Sequence, residues 1–323
     1  MAEKLRVAVA GASGIGKHHA KWYHLAGCEV VGFLGHSADS CAATEHVLEE
    51  LFGFEGKGYW ELERLLTEEQ PDIVDVCLPN ELHCDCAMKA LEAGAHILCE
   101  KPLVWHEGEA PELLLERGKA LVDKAHRAGL HFGVCTQYAA ALPHYLELYE
   151  SEHGLLDRVA SFSAEMETLS RGRQRDVTAL WVDMGPHPLT LLQSLMPDGS
   201  LDIDSVRGEF VGSEARFVFD FADTQGVCHC EITVRDCAEG PPVRRFGVND
   251  FLTDCSGRDD EEGIYRSVLQ RGEREVVGED FMAQLISRFV DAVRGVAPEP
   301  LVSGQTGLRN LELQLQLLQS VDR

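Results

Sequence analysis

Positive charge is what this sequence has little of. Lys and Arg number 29 against 54 Asp and Glu, which leaves a formal net charge of -25 at pH 7. So acidic a surface repels phosphate backbones and anionic bilayers, which excludes nucleic acid and membrane surfaces as expected partners. It does not exclude a phosphate-bearing cofactor, because backbone N–H groups at a helix N-terminus bind phosphate locally. Long apolar runs are missing too. The longest are strand-sized, so no transmembrane helix is expected. The opening MAEKLRVAVAGASG has no basic start, long apolar stretch and small-residue cleavage site in series, so no export signal is expected and the reading is cytoplasmic. Repeats, low-complexity tracts and an obvious linker are also lacking. With 45% hydrophobic and 26% charged residues, the bulk of the chain reads as folded.

Cysteine is present, 11 in all, an odd number scattered along the chain. Without an export signal these are expected to be reduced thiols. Cys84 and Cys86 form a C-x-C pair, as do Cys228 and Cys230 around His229. Neither pair has a second pair at zinc-like spacing, so no metal site is expected.

The 323 residues suit two domains, read here as 1–128 and 129–323. In the first part, apolar runs at 5–10, 29–34, 72–78, 95–99 and 130–135 alternate with helical patterns at 16–26, 38–51, 60–68, 82–93 and 109–128. That alternation predicts α/β structure, a doubly wound parallel sheet of Rossmann type. Beyond about residue 155 the pattern changes. Stretches 159–167, 203–212, 215–222, 226–235 and 243–252 read as strands, several alternating apolar and polar residues. They predict an α+β domain with an open, largely antiparallel sheet. Helices are predicted at 178–195, 280–294 and 305–320, the last carrying Leu308, Leu311, Leu315 and Leu318 on one face.

The first strand runs into Gly11-Ala-Ser13-Gly14-Ile15-Gly16, which opens the first helix. Small residues there allow a sharp turn, close approach of backbone to a pyrophosphate, and tight packing of helix on strand. The spacing is G-x-x-G-x-G, a variant of the dinucleotide fingerprint. Its position after a strand in a βαβ pattern supports nucleotide binding over a plain glycine turn. The second strand ends Phe33-Leu34-Gly35-His36-Ser37, with no acid for a ribose 2′-hydroxyl. His36 and Ser37 tolerate a 2′-phosphate better than a carboxylate would, so the cofactor is read as NAD(P) with a lean to NADP. Asp39 stands two residues further on as the competing feature.

Residues 79–102 read PNELHCDCAMKALEAGAHILCEKP. Pro79, Asn80 and His83, then Ala90, Leu91 and Gly94, then Glu100, Lys101 and Pro102 form an ordered set. In this set the chain resembles the glucose–fructose oxidoreductase and inositol dehydrogenase family, Gfo/Idh/MocA. Pro300-Leu-Val-Ser-Gly304 and the leucine-rich helix after it also resemble that family, so the resemblance spans nearly the whole chain. It implies a nucleotide site built from Gly11, Ser13, Gly14, Ile15, Gly16, His36, Ser37, Leu78, Pro79, Asn80, His83, Glu100, Lys101 and Gln137. It also implies a cis bond before Pro102. Lys101, at the C-terminal end of a parallel strand, stands where α/β sheets place their ligands.

Asp183 and His187 in WVDMGPHP lie four residues apart and so share a face if helical. The family places an aspartate and a histidine at this spacing in its substrate pocket. The resemblance implies that His187 is the general base and Asp183 an orienting group. An ordinary imidazole pKa, about 6.5, suits that task. By residues alone, Asp183 as a helix cap beside a packed His187 remains the alternative. Thr190 stands where many members carry another aspartate, and 175–180 replaces a glycine-rich lead-in, so the family's substrates are not carried over.

The catalytic set is therefore read as Lys101, Asp183 and His187. The reaction is read as hydride transfer between nicotinamide and a secondary alcohol of a sugar, polyol or inositol-like substrate, in a homodimer or homotetramer. The alternatives are a sugar enzyme that retains its cofactor and a non-catalytic nucleotide sensor.

Overall fold

A computed structural model describes residues 4–170, 172 and 175–321. Packing divides the chain into two units, Met1–Cys135 with Met282–Leu308, and Thr136–Phe281 with Arg309–Arg323. Among the described residues, no helix is long and apolar enough to cross a membrane.

The first unit runs β1 (Arg6–Ala10), α1 (Gly16–Leu25), β2 (Glu29–Leu34), α2 (Ala38–Phe52), β3 (Lys57–Tyr59), α3 (Leu62–Glu69), β4 (Ile73–Val76), α4 (His83–Glu92), β5 (His96–Glu100), α5 (Pro111–Ala128) and β6 (Phe132–Cys135). The six strands are all parallel, in the order β3-β2-β1-β4-β5-β6. This is the Rossmann winding, whose order reverses between β1 and β4 and leaves a ligand crevice at their C-terminal ends. β1 and β4 are almost entirely apolar because both sheet faces are covered.

The first unit is larger than the reading of 1–128. β6 pairs with β5, so it cannot leave the sheet. The segment after residue 281 also returns to this core. Leu285, Ile286, Phe289 and Val290 pack with Val7, Val9, Ile73 and Leu98. Gly133 leaves room for the Phe289 ring, which lies 3.0 Å from where a Cβ would stand.

The second unit runs α6 (Leu142–His153), β7 (Ser161–Leu169), α7 (Val177–Met184), α8 (Pro186–Leu195), β8 (Ser200–Val211), β9 (Glu214–Asp223), β10 (Gly226–Cys237), β11 (Arg244–Val248), β12 (Phe251–Asp259), β13 (Tyr265–Arg271) and β14 (Arg274–Glu279). The chain continues into α9 (Phe281–Val293) and α10 (Gly304–Val321). Eight strands form one sheet in the order β14-β13-β12-β11-β7-β10-β9-β8. Among the described residues the β10–β7 pair is parallel and the other pairs of this sheet are antiparallel. One face is packed, with Phe162, Phe217, Phe219, Phe221, Ile232 and Phe246 against Trp181 and Leu189. The other carries cross-strand ion pairs such as Arg216–Glu231, Arg235–Glu167 and Arg245–Asp254.

The stretch 243–252 is not one strand but a hairpin, β11 turning into β12 at Asn249 and Asp250. Both turn residues have positive φ, 52° and 64°, which Asn and Asp tolerate and a two-residue hairpin turn requires. Tyr145 fastens this hairpin. Its fully buried hydroxyl donates to the Phe251 carbonyl (2.9 Å) and accepts from the Val248 amide (2.8 Å). The helix 178–195 is likewise two helices, broken at Gly185-Pro186.

Cys228 and Cys230 point to the same buried side of β10, their sulfurs 3.7 Å apart. His229 points to the other face and pairs with Asp220. The alternation of a strand thus separates the three groups that a C-H-C metal reading would need together.

Removing the Tyr145 hydroxyl leaves a buried amide and carbonyl unpaired. Tyr145→Phe is expected to lower unfolding stability by about 1–3 kcal/mol, as measured by chemical denaturation.

Candidate functional site

The end of β1 is fixed by backbone contacts. The Gly11 amide donates to Leu34 O (2.9 Å), and the Cys77 amide donates to Ala10 O (2.7 Å). Gly11 has φ 93°, and a Cβ there would lie 2.5 Å from the Cys77 carbonyl oxygen, so glycine is required. A Cβ on Gly16 would overlap the Gly11 carbonyl, which is how α1 packs so close to the strand end. Gly14 has open space instead, with nothing within 4 Å of a would-be Cβ. Ser13, Gly14 and Ile15 are exposed in succession. The N-terminus of α1 has no side-chain cap and no acid in its first turn. Its orphan N–H groups and positive dipole end therefore face an open cradle, which fits the pyrophosphate of a dinucleotide.

After β2, His36 is exposed and Ser37 caps α2. The Ser37 hydroxyl accepts from the Ser40 amide (3.3 Å), and the Ser40 hydroxyl accepts from the amides of Ser37 and His36. The segment holds no carboxylate ahead of Asp39, which is exposed in the first turn of α2.

The turns after β4 and β5 are tied together by His83. This ring is fully buried, with Nδ1 2.9 Å from Pro102 O and Nε2 2.8 Å from Leu78 O. Both nitrogens are thus committed to the backbone. His83 is a staple between two loops, rather than the cofactor contact that the sequence suggested. Pro79 is exposed and Leu78 and Asn80 are half-buried on the loop it holds, Asn80 opening a short 3-10 turn. The Lys101–Pro102 bond is cis, as the resemblance implied, and Lys101 is partly exposed at the end of β5. Glu100, also expected to meet the cofactor, turns its carboxylate inward. Oε1 lies 3.4 Å from Nε2 of the buried His19, and Oε2 accepts from the Lys101 amide at 3.2 Å.

In the second unit, Asp183 is the penultimate residue of α7 and does not cap it. Asp176 is the cap, accepting from the amides of Thr178 (3.1 Å) and Ala179 (3.4 Å). Asp183 Oδ2 instead receives Arg175 Nη1 at 2.9 Å, both side chains about a third exposed. His187 is 6% exposed, and Tyr138 meets its ring edge-on at 5.1 Å. Burial pushes the Tyr138 phenol up to about 12, against the lowering effect of Arg244, so it stays protonated at neutral pH. Gln137, half-buried, opens the 3-10 turn that carries Tyr138.

The helical path continues through Gly185, whose amide donates to Trp181 O (2.8 Å). Pro186 has no N–H for the carbonyl four residues back, that of Val182. Gln314 of α10 fills this gap, its Nε2 donating to Val182 O (3.0 Å) and Trp181 O (3.2 Å). Asn310, one turn earlier, donates to Pro186 O, Thr190 Oγ1 and Gln193 Oε1. Thr190 is fully buried and faces this network. His19, Arg175, Asn310 and Gln314 were not singled out by the sequence. The only signal for the last two was a proline inside a helical pattern, which leaves a carbonyl that some polar side chain must satisfy.

A sequence profile described as an oxidoreductase family with an NAD-binding Rossmann fold matches residues 5–134. Residues 5–134 match the Gfo/Idh/MocA family of oxidoreductases. Its relatives include the D-glucoside 3-dehydrogenase of Escherichia coli, 33% identical over 128 residues, which is 39% of this chain and 32% of that protein. The 1,5-anhydro-D-fructose reductase of Ensifer adhaerens is 35% identical over 109 residues, 33% of this chain and 28% of the reductase. The chain thus spans about a third of the length of the curated relatives it matches. A solved UDP-N-acetylglucosamine 3-dehydrogenase from Acidithiobacillus ferrooxidans has the same fold throughout. Its TM-score is 0.73 at 20% identity, covering 99% of this chain and 98% of that one. The Gfo/Idh/MocA domain carries the nicotinamide-nucleotide fold; the partners of Asp183 and His187 lie in the second unit.

Gln314→Leu is expected to destabilise the protein by about 1–3 kcal/mol in denaturant unfolding, because the Val182 carbonyl stays buried without its donor. Gln314→Glu is expected to be at least as damaging, since it adds a buried charge.

Proposed function

We propose that this protein is an NAD(P)-dependent oxidoreductase acting on a secondary alcohol of a sugar, polyol or inositol-like compound. The observation that carries the reading is the cradle at Gly14 on an uncapped helix N-terminus, in a domain of the Gfo/Idh/MocA family that ends its fifth strand in Glu100-Lys101-Pro102. The sugar dehydrogenases and reductases among its relatives support the substrate class.

When bound, the nicotinamide ring accepts or supplies the hydride. The loop Gly11–Gly16 binds the nucleotide phosphates through backbone N–H groups. Lys101 hydrogen-bonds the reacting hydroxyl and favours loss of its proton. His187 takes that proton on oxidation and returns it on reduction. Asp183, steadied by Arg175, orients the substrate. The absence of an acid between Leu34 and Asp39 supports NADP over NAD, because a carboxylate there would repel a 2′-phosphate. A homodimer or homotetramer is proposed with it, joined through the exposed face of the eight-stranded sheet, and light scattering of the purified protein reads the subunit number.

The test mixes purified protein with NAD or NADP and a panel of sugars, polyols and inositols, and follows reduced-nicotinamide absorbance. Lys101→Met is expected to cut turnover by about a hundredfold or more while nucleotide affinity stays within about threefold. Near-wild-type turnover in Lys101→Met overturns the assignment. Tight nucleotide binding without turnover of any alcohol points to a retained-cofactor enzyme or a sensor. In a fluorescence titration NADPH is expected to bind more tightly than NADH, and a clear preference for NADH reverses the cofactor reading.

A further inference from the structure

His19 lies on the first turn of α1, three residues past Gly16, and is fully buried. Each ring nitrogen faces a carboxylate. Nδ1 is 2.9 Å from Asp75 Oδ2 on β4, and Nε2 is 3.4 Å from Glu100 Oε1 at the end of β5. A neutral imidazole donates through one nitrogen only; the imidazolium donates through both. The remaining neighbours are Cys77 after β4, 3.3 Å from Nδ1, and Cys135 on β6, 4.0 Å from Nε2, with Tyr23 on α1 itself. Burial raises the pKa of all three, Cys135 to about 12. Burial opposes a charged His19, while Cys77, Asp75 and Cys135 beside it raise its pKa, to well above 6.5 overall. His19, Asp75 and Cys77, or His19, Glu100 and Cys135, are near enough to ligate a metal. A carboxylate at each ring nitrogen favours the doubly protonated ring, which has no lone pair to give, and makes the arrangement a buried charge network.

The network has a direction. Glu100 is held by His19 through Oε1, while its Oε2 accepts the Lys101 amide at 3.2 Å. Asp75, with no exposure at all, is the counter-charge that keeps His19 in place from the opposite side. A buried carboxylate without such a partner is costly, so the contacts are kept or lost together.

We propose that His19 is a positioning residue for Lys101, acting through Glu100: it links the helix that follows the nucleotide loop to the backbone of the Glu100-Lys101-Pro102 turn. This rests on the reading of Lys101 as the reacting lysine. Glutamine at position 19 keeps one polar contact but loses the charge and the second donor. Glu100 Oε1 then loses its His19 contact, which weakens its hold on the Lys101 amide, and the less compensated carboxylates favour the ammonium form of Lys101.

The experiment compares wild type, His19→Gln, Glu100→Gln and the double variant. It reads nucleotide affinity by reduced-nicotinamide fluorescence, kcat and KM on the best alcohol of the panel, and the rate of Lys101 acylation by mass spectrometry. In His19→Gln, nucleotide affinity and KM are expected within about threefold of wild type. kcat is expected to fall about tenfold or more and Lys101 acylation about threefold or more. The double variant is expected to match the worse single within about twofold, because both break one chain of contacts. A folded His19→Gln with turnover and acylation within twofold of wild type overturns the proposal. If His19→Gln does not fold, Glu100→Gln, which keeps the side-chain shape, decides by the same two readouts. If the wild type turns over no alcohol, the oxidoreductase reading fails, while the acylation rates still decide the role of His19.

Discussion

The constraint on which the first unit depends is the contact between the loop after β1 and the strand end beside it. Gly11 lies against the Cys77 carbonyl, and Gly16 against Gly11, at distances no side chain survives. Packing so close brings the N-terminus of α1 to the ends of β1 and β4, where the strand order reverses. The same closeness buries His19, in the first turn of α1, beside β4 and β5. A polar residue in that position has to be answered by polar residues on the strands, which is what Asp75 and Glu100 do. One steric requirement therefore shapes both the cradle for an anion and the charge network beneath it.

The second unit depends on a different compromise. Gly185-Pro186 interrupts the helix that carries Asp183 and His187 and leaves the Val182 carbonyl without its backbone donor. Gln314, on an otherwise leucine-rich helix, supplies that donor, and Asn310 one turn earlier bonds the Pro186 carbonyl. The break is thus held in one geometry, with Asp183 on Arg175 and His187 against Tyr138. The Asp183 and His187 side chains gain a defined geometry from this.

Much of the architecture was legible in the chain. Apolar runs of strand length alternating with helical periodicity specified the parallel sheet, and period-two alternation specified the antiparallel one. The losses were local. Asn249-Asp250 was read through as strand because it lacks the glycine that usually marks a two-residue turn. β3 spans only three residues, too short for periodicity to register. β13 and β14, outer strands rich in charge, and α6, whose first turn holds a proline, broke the patterns that mark their types. In the sequence, Gly11 and Lys101 stood out because each directly follows a strand. His83 and Glu100 were assigned to the cofactor, and the structure shows them turned into the protein, bonding backbone and His19. Asp75 was invisible because one acid inside an apolar strand carries no pattern of its own; its meaning depends on a histidine 56 residues earlier.

The proposed reaction is hydride transfer between a nicotinamide nucleotide and a carbohydrate. The most direct test follows the hydrogen itself. NADPH or NADH carrying deuterium at C4 is incubated with the protein and the keto forms of the panel sugars, and the products are weighed by mass spectrometry. The account predicts one deuterium on a carbinol carbon of the sugar for each nucleotide oxidised. Nucleotide that binds tightly yet keeps its label with every sugar would contradict it.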